Sequence, residues 1–150
     1  MLCAAILAAA LIFCNLPTRN AEIPQDVSLG HEIGMRLPDF ELETLSGDRF
    51  RLSEARGEYV IINLWATWCG PCVKELPEFE AFHQAHPEAH MLAIHSDLIT
   101  EDVAAYVERL ACTFPFAVDE SGDVVALLGG STVLPQTIVL DRDGFVLYNQ

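Results

Sequence analysis

Basic side chains are scarce in this chain. Of 150 residues only 8 are Lys or Arg, against 22 Asp and Glu, and the net charge is −14. A nucleic-acid backbone demands a basic surface, so that partner class is excluded. What remains is a solvated acidic surface that favours solubility. A second Cys-x-x-Cys is missing, so a structural zinc site built from two such cysteine pairs has no donor set. Internal repeats are absent, and low-complexity sequence is confined to the Ala-rich start. No uninterrupted apolar run reaches the roughly 20 residues that span a bilayer.

The longest such run, Leu2 to Cys14, has the length of a signal-peptide core. It lacks a Lys/Arg-rich flank and a small-residue cleavage site, and Phe13 before Cys14 fits a lipoprotein signal poorly. Residues 1–17 are read as an export signal or shortened membrane anchor, with a buried helix of the fold as the alternative. An exported domain works outside the cytoplasm, where disulfides persist. Residues 18–34 are polar, broken by Pro24, Gly30 and Gly34, and read as a linker. Residues 35–150 then form one domain with enough chain for a substantial core.

Chemistry concentrates in Cys69-Gly70-Pro71-Cys72, which follows the apolar run Tyr59 to Trp65 and precedes a helix-like segment. A buried strand thus delivers Cys69 to a helix mouth, where unpaired N–H groups and the positive end of the dipole favour a thiolate. A thiolate is the nucleophile of disulfide exchange, and a second sulfur three residues on resolves the mixed disulfide. Pro71 suits a first helical turn, where its missing N–H has no partner to lose. Cys69 is expected to be exposed and Cys72, one turn in, shielded. The alternative is a pair of structural or zinc-binding cysteines.

Around this motif, Phe40 to Glu43 and Phe50 to Leu52 alternate about Ser46-Gly47-Asp48, a hairpin. Ser53 is expected to cap a short turn ended by Gly57. Cys72, Leu76, Phe79 and Phe82 make a helical stripe, with a kink expected at Pro77. Met91 to Ile94 is a second buried strand, and Thr100 is expected to cap the helix of Val103, Tyr106, Val107 and Leu110. Phe114 to Val118 is extended, Asp123 to Leu128 a short helix, and Thr137 to Leu140 and Phe145 to Tyr148 a second hairpin. Cys112 is expected to be buried and inert, His95 structural, Trp65 core, and His83, His86 and His90 surface residues. Asp119 reads as a turn residue.

The segment Asn63-Leu64-Trp65-Ala66-Thr67-Trp68-Cys69-Gly70-Pro71-Cys72-Val73-Lys74-Glu75-Leu76-Pro77 closely resembles the active-site segment of thioredoxin-like proteins. Glu75 and Pro77 make it most similar to the TlpA/ResA branch of thiol-disulfide oxidoreductases. The resemblance implies an α/β thioredoxin-like fold: a central mixed sheet flanked by helices, with an N-terminal β-hairpin extension. Such folds close with a helix after the last hairpin, and none follows before Gln150. A bare apolar sheet face is therefore expected, from a truncated gene or fragment or from a chain whose partner covers that face.

For function, the resemblance implies an extracytoplasmic reductase of the bacterial cell envelope that exchanges a Cys69–Cys72 dithiol/disulfide with protein thiols and disulfides. No cofactor beyond that disulfide, no metal and no nucleic acid are expected. Electrons come from an upstream donor such as a membrane thiol-transfer protein, and membrane association runs through the N-terminal segment. Gly70 and Pro71 tune redox poise. Trp68 flanks the site as a contact surface, with simple packing as its alternative. Leu134-Pro135 matches the loop that carries a cis proline beside the disulfide and offers the Leu134 backbone to substrate; an ordinary trans proline opening a strand is the alternative. Asn63 stands where thioredoxins carry a buried Asp and cannot ionise. Glu75, three residues past Cys72, matches a carboxylate that takes the Cys72 proton, with a solvated helical Glu as the alternative. Two further readings remain open. A peroxiredoxin-type peroxidase lacks its Pro-x-x-x-Thr-x-x-Cys pattern here, since Thr67 lies two residues before Cys69. A non-catalytic thiol-binding or cytochrome-maturation adaptor would capture cysteines without turnover.

Overall fold

The computed structural model describes residues 27–96, 102–130 and 133–150. The expected leader at 1–17, the first part of the expected linker and the Thr100 cap lie outside the described residues. Short strands β1 (Glu41–Glu43) and β2 (Arg49–Arg51) form an antiparallel hairpin, followed by a 3-10 turn at Leu52–Ala55. The main elements are β3 (Val60–Trp65), α1 (Gly70–Ala85), β4 (His90–His95), α2 (Val103–Leu110), β5 (Phe116–Val118), α3 (Asp123–Leu127), β6 (Gln136–Leu140) and β7 (Val146–Asn149). The five-stranded sheet runs β5-β4-β3-β6-β7. β3 pairs in parallel with β4, and β4 with β5; β6 is antiparallel to β3, and β7 to β6.

β3 lies at the centre, and all six of its residues are buried, which is why the sequence shows a continuous apolar run there rather than alternation. Its pleat still separates two cores. Ile61 and Trp65 join Cys72, Leu76, Phe79 and Phe82 of α1 and Val103 of α2. Val60, Ile62 and Leu64 join Leu37, Leu52, Val124 and Leu128 on the opposite face. Both long helices therefore cover one side of the sheet, and the 3-10 turn and α3 the other.

Local details differ from the sequence reading where side chains compete for helix ends. Ser53 caps nothing: its own N–H donates to Asp39 Oδ1 at 2.7 Å, and Asp39 also pairs with Arg51. At α2 the cap is Asp102, whose carboxylate accepts from the Ala105 N–H at 3.0 Å. α1 runs unbroken through Pro77. The proline is on the exposed side of the helix, so its ring displaces nothing in the core.

Residues 34–37 are bound to β7 and the turn before it. Gly34 donates to the Val146 carbonyl at 2.8 Å, Val146 donates to Met35 at 2.8 Å, and Leu37 to Gly144 at 3.0 Å. That turn needs glycine at 144: φ is +82°, and the Arg56 guanidinium lies where a Cβ would project. Arg56 and Arg36 both donate to the Asp143 carbonyl beside it.

The bare sheet face is not what the described residues present. Their exposed large apolar side chains are Leu29, Ile33, Leu45, Trp68 and Val133, none in the five-stranded sheet. Tyr59 and Tyr148 pack on that face against the core containing Val139, and the Arg142 guanidinium lies 5.4 Å over the Tyr59 ring.

Candidate active site

β3 ends at Trp65, and after four intervening residues α1 begins at Gly70. Cys69 is the N-cap of α1, in extended conformation, and its Sγ accepts the Cys72 N–H at 3.3 Å. Its carbonyl accepts from Val73 at 3.1 Å, so the residue closes the first turn from both ends. Cys69 and Cys72 are joined in a disulfide, with Cα atoms 5.3 Å apart. Gly70 and Pro71 fill the exposed first turn. Glycine is not sterically required at 70, because a Cβ there meets nothing within 4 Å.

The expected exposure of Cys69 is corrected: the residue is only 4% exposed, and Cys72 is fully buried. The reason is the bond itself. Turning Sγ inward to reach Cys72 places Cys69 in the apolar cluster with Trp65, Ala66 and Leu76. What projects beside it is Trp68, 63% exposed, while Trp65 lies in the core, edge-on to Phe116 and His95.

A second segment approaches from β6. The Leu134–Pro135 bond is cis. Leu64 faces Gln136 in the β3–β6 register, so Pro135 sits opposite the end of β3 from which the cysteine loop departs. Leu134 is half-buried and packs on both cores, including the one holding Cys69 and Cys72; Val133 before it is exposed. Just past the proline, Gln136 Nε2 donates to the Leu128 carbonyl (3.2 Å) and to Asn149 Oδ1 (2.7 Å), fixing the start of β6. Asn63 is buried, and its Nδ2 donates to Thr137 Oγ1 at 3.2 Å, tying β3 to β6. Glu75 lies one turn beyond Cys72, half-buried, with Oε2 shielded from solvent.

The profile of the AhpC/TSA family matches residues 33–149. This chain belongs to the AhpC/TSA family. It is 32% identical over 118 residues to the thiol-disulfide oxidoreductase ResA of Bacillus thuringiensis subsp. konkukian, covering 77% of this chain and 68% of that one. To the thioredoxin-like protein YneN of Bacillus subtilis it is 33% identical over 126 residues, with 79% and 71% covered. Among solved structures it superimposes on a protein from Chlorobium tepidum assigned as the thiol:disulfide interchange protein DsbE, with a TM-score of 0.68, 30% identity and 79% and 84% of the two chains covered. Within the AhpC/TSA family it is therefore a ResA-type thiol-disulfide oxidoreductase with a thioredoxin-like fold. Its redox group is the Cys69–Cys72 disulfide.

The remaining cysteine among the described residues is chemically distinct. Cys112 is half-buried, and burial, reinforced by the Glu80 carboxylate, pushes its thiol up to about 11. At neutral pH it is a thiol, not a nucleophile. Among the described residues no group of three or more His, Cys, Asp or Glu is placed to hold a metal.

Two residues mean more in this AhpC/TSA-family protein than the sequence indicated. Asp119, read as a turn residue, is 2% exposed, and its carboxylate caps α3 by accepting from Gly122, Val125 and Ser121. The only trace in the sequence was its position four residues before a helix. His95, expected to be structural, is buried, and its Nε2 accepts the Thr67 N–H at 3.3 Å, within the cysteine loop. No sequence spacing links those two positions; only the β3–β4 register brings them together. His83, expected at the surface, is half-buried against the Phe114 ring.

Proposed function

We propose that this protein is an extracytoplasmic reductase of protein disulfides, with Cys69 as attacking sulfur and Cys72 as resolving sulfur. The observation that carries the reading is the disulfide between a helix N-cap and a residue one turn inside, bordered by exposed Trp68. In the reduced protein the Cys69 thiolate attacks a substrate disulfide, forms a mixed disulfide and releases one substrate thiolate. Glu75 accepts the Cys72 proton, and the Cys72 thiolate attacks Cys69 Sγ. That step re-forms the Cys69–Cys72 bond and releases the second substrate thiolate, so two electrons pass to substrate. Trp68 and Leu134-Pro135 receive the substrate segment, and Gly70 and Pro71 tune the poise. A membrane thiol-transfer protein returns the electrons, and residues 1–17 export or anchor the domain, as its kinship with ResA supports.

Insulin reduction driven by dithiothreitol tests the substrate class. Catalytic turnover is expected, with the first attack slowed in Pro135→Ala and the resolving step slowed in Glu75→Gln. Stoichiometric capture without turnover would favour the adaptor instead, and unchanged step rates would remove those two residues from the reaction. A fusion of alkaline phosphatase to the chain reports the compartment: an active enzyme places the domain outside the cytoplasm, an inactive one contradicts export.

A further inference from the structure

We infer that His95 is a positioning residue for the attacking sulfur, acting through the Thr67 backbone. The inference rests on the reading that Cys69 makes the first attack. Only Ala66, Thr67 and Trp68 separate the end of β3 from Cys69, and this short loop carries both the exposed indole and the nucleophile. Its N–H groups need partners, because part-buried backbone donors left unpaired are costly. Cys69 donates to Ala66 within the loop, at 3.0 Å. Thr67 donates outside it, to His95 Nε2 at 3.3 Å.

The acceptor is itself held on several sides. The residue is 1% exposed, and its ring stands at 87° to Trp65, with centroids 5.2 Å apart. Its backbone is paired with Trp65 across β3–β4, its carbonyl accepts from Asp119, and the next residue, Ser96, donates to the Trp65 carbonyl. A ring nitrogen that accepts an N–H carries no proton, so Nε2 is bare and the neutral ring bears its hydrogen on Nδ1. A buried aromatic ring serving packing alone needs no such atom facing the loop. The imidazole thus fixes the height of Thr67 over the sheet edge, and through it the placement of Trp68 and Cys69.

The test compares His95→Phe, which keeps ring packing on Trp65 and removes the acceptor, with His95→Gln, which restores a carbonyl acceptor. In the reduced full-length chain two quantities are read: hydrogen exchange of the Thr67 amide and the rate of Cys69 alkylation by iodoacetamide at pH 7. His95→Phe is expected to speed Thr67 exchange and slow Cys69 alkylation by about fivefold or more, the order that one hydrogen bond supplies. Exchange within Ile62 and Leu64 stays protected, and His95→Gln returns both quantities toward wild type. Equal rates in wild type and His95→Phe, or equal losses in Phe and Gln, would overturn the assignment. If His95→Phe does not fold, nitrogen NMR of the wild-type ring decides: a bare Nε2 with protonated Nδ1 supports it, and the opposite tautomer overturns it. Failure of the underlying reading looks different, since Cys69 would then be unreactive in the wild type itself.

Discussion

Cys69→Ser is expected to lose insulin reduction down to the dithiothreitol background, while Cys72→Ser loses turnover but accumulates a mixed disulfide with its substrate. The asymmetry follows from position. Cys69 is the N-cap, where the N–H groups of the first turn converge and the Cys72 N–H already points at its sulfur. Those donors stabilise an anion at Cys69 once the disulfide opens. A serine hydroxyl stays protonated near neutral pH and forms no disulfide, so neither step proceeds. Cys72 is fully buried one turn inside, beyond the reach of a protein substrate, and meets only Cys69 Sγ. With serine there, the first attack proceeds and the captured substrate stays attached. Mass spectrometry of the trapped adduct measures this. Adducts in Cys69→Ser and none in Cys72→Ser would reverse the assignment.

Phe79→Ala is expected to cost about 3–5 kcal/mol of folding stability, the range for truncating a buried aromatic ring. Phe79 is 1% exposed, on the inward stripe of α1 with Leu76 and Phe82, against the face of β3 that carries Ile61 and Trp65. Truncation leaves a void between helix and sheet in the core that also holds Cys69 and Cys72. Domains of this size are stable by only about 5–15 kcal/mol, so the variant sits near the threshold, with Tm lower by roughly 10–20 °C. Glu78→Ala, one residue away on the exposed side, shifts stability by no more than about 0.5 kcal/mol. Denaturant unfolding followed by circular dichroism checks both. A loss below about 1 kcal/mol at Phe79 would mean that α1 does not pack on β3 through that stripe.

Much of this architecture was legible because its strongest signals are local. The run from Tyr59 to Trp65, the stripe Cys72, Leu76, Phe79 and Phe82, and the turn at Asp141 to Gly144 each announce one element and its buried face. The Cys-x-x-Cys between strand and helix announced the chemistry for the same reason, since strand, cap and proline adjoin in the chain. Helix caps were misread where two acidic or hydroxyl groups compete: Ser53 lost to Asp39 across the hairpin, a pairing separated by 14 residues. Cys69 was expected in solvent because the cap geometry was considered without the bond that turns its sulfur inward. The roles of His95 and Asn63 stayed hidden, because each bonds a residue on a different element and only the sheet register defines the pair. The cover on the sheet face expected to be bare was missed because Tyr59 lies just before β3 and Tyr148 near the end of β7, where sequence alone gives no direction to a ring.

Alkylation of the fully reduced protein over a pH series, with each cysteine mapped by mass spectrometry, addresses the helix-mouth thiolate directly. Cys69 is expected to react readily near pH 6, where a free cysteine thiol is less than about 1% ionised, while Cys112, pushed up to about 11, stays unmodified. A Cys69 profile that follows free cysteine, or that trails Cys112, would contradict the account.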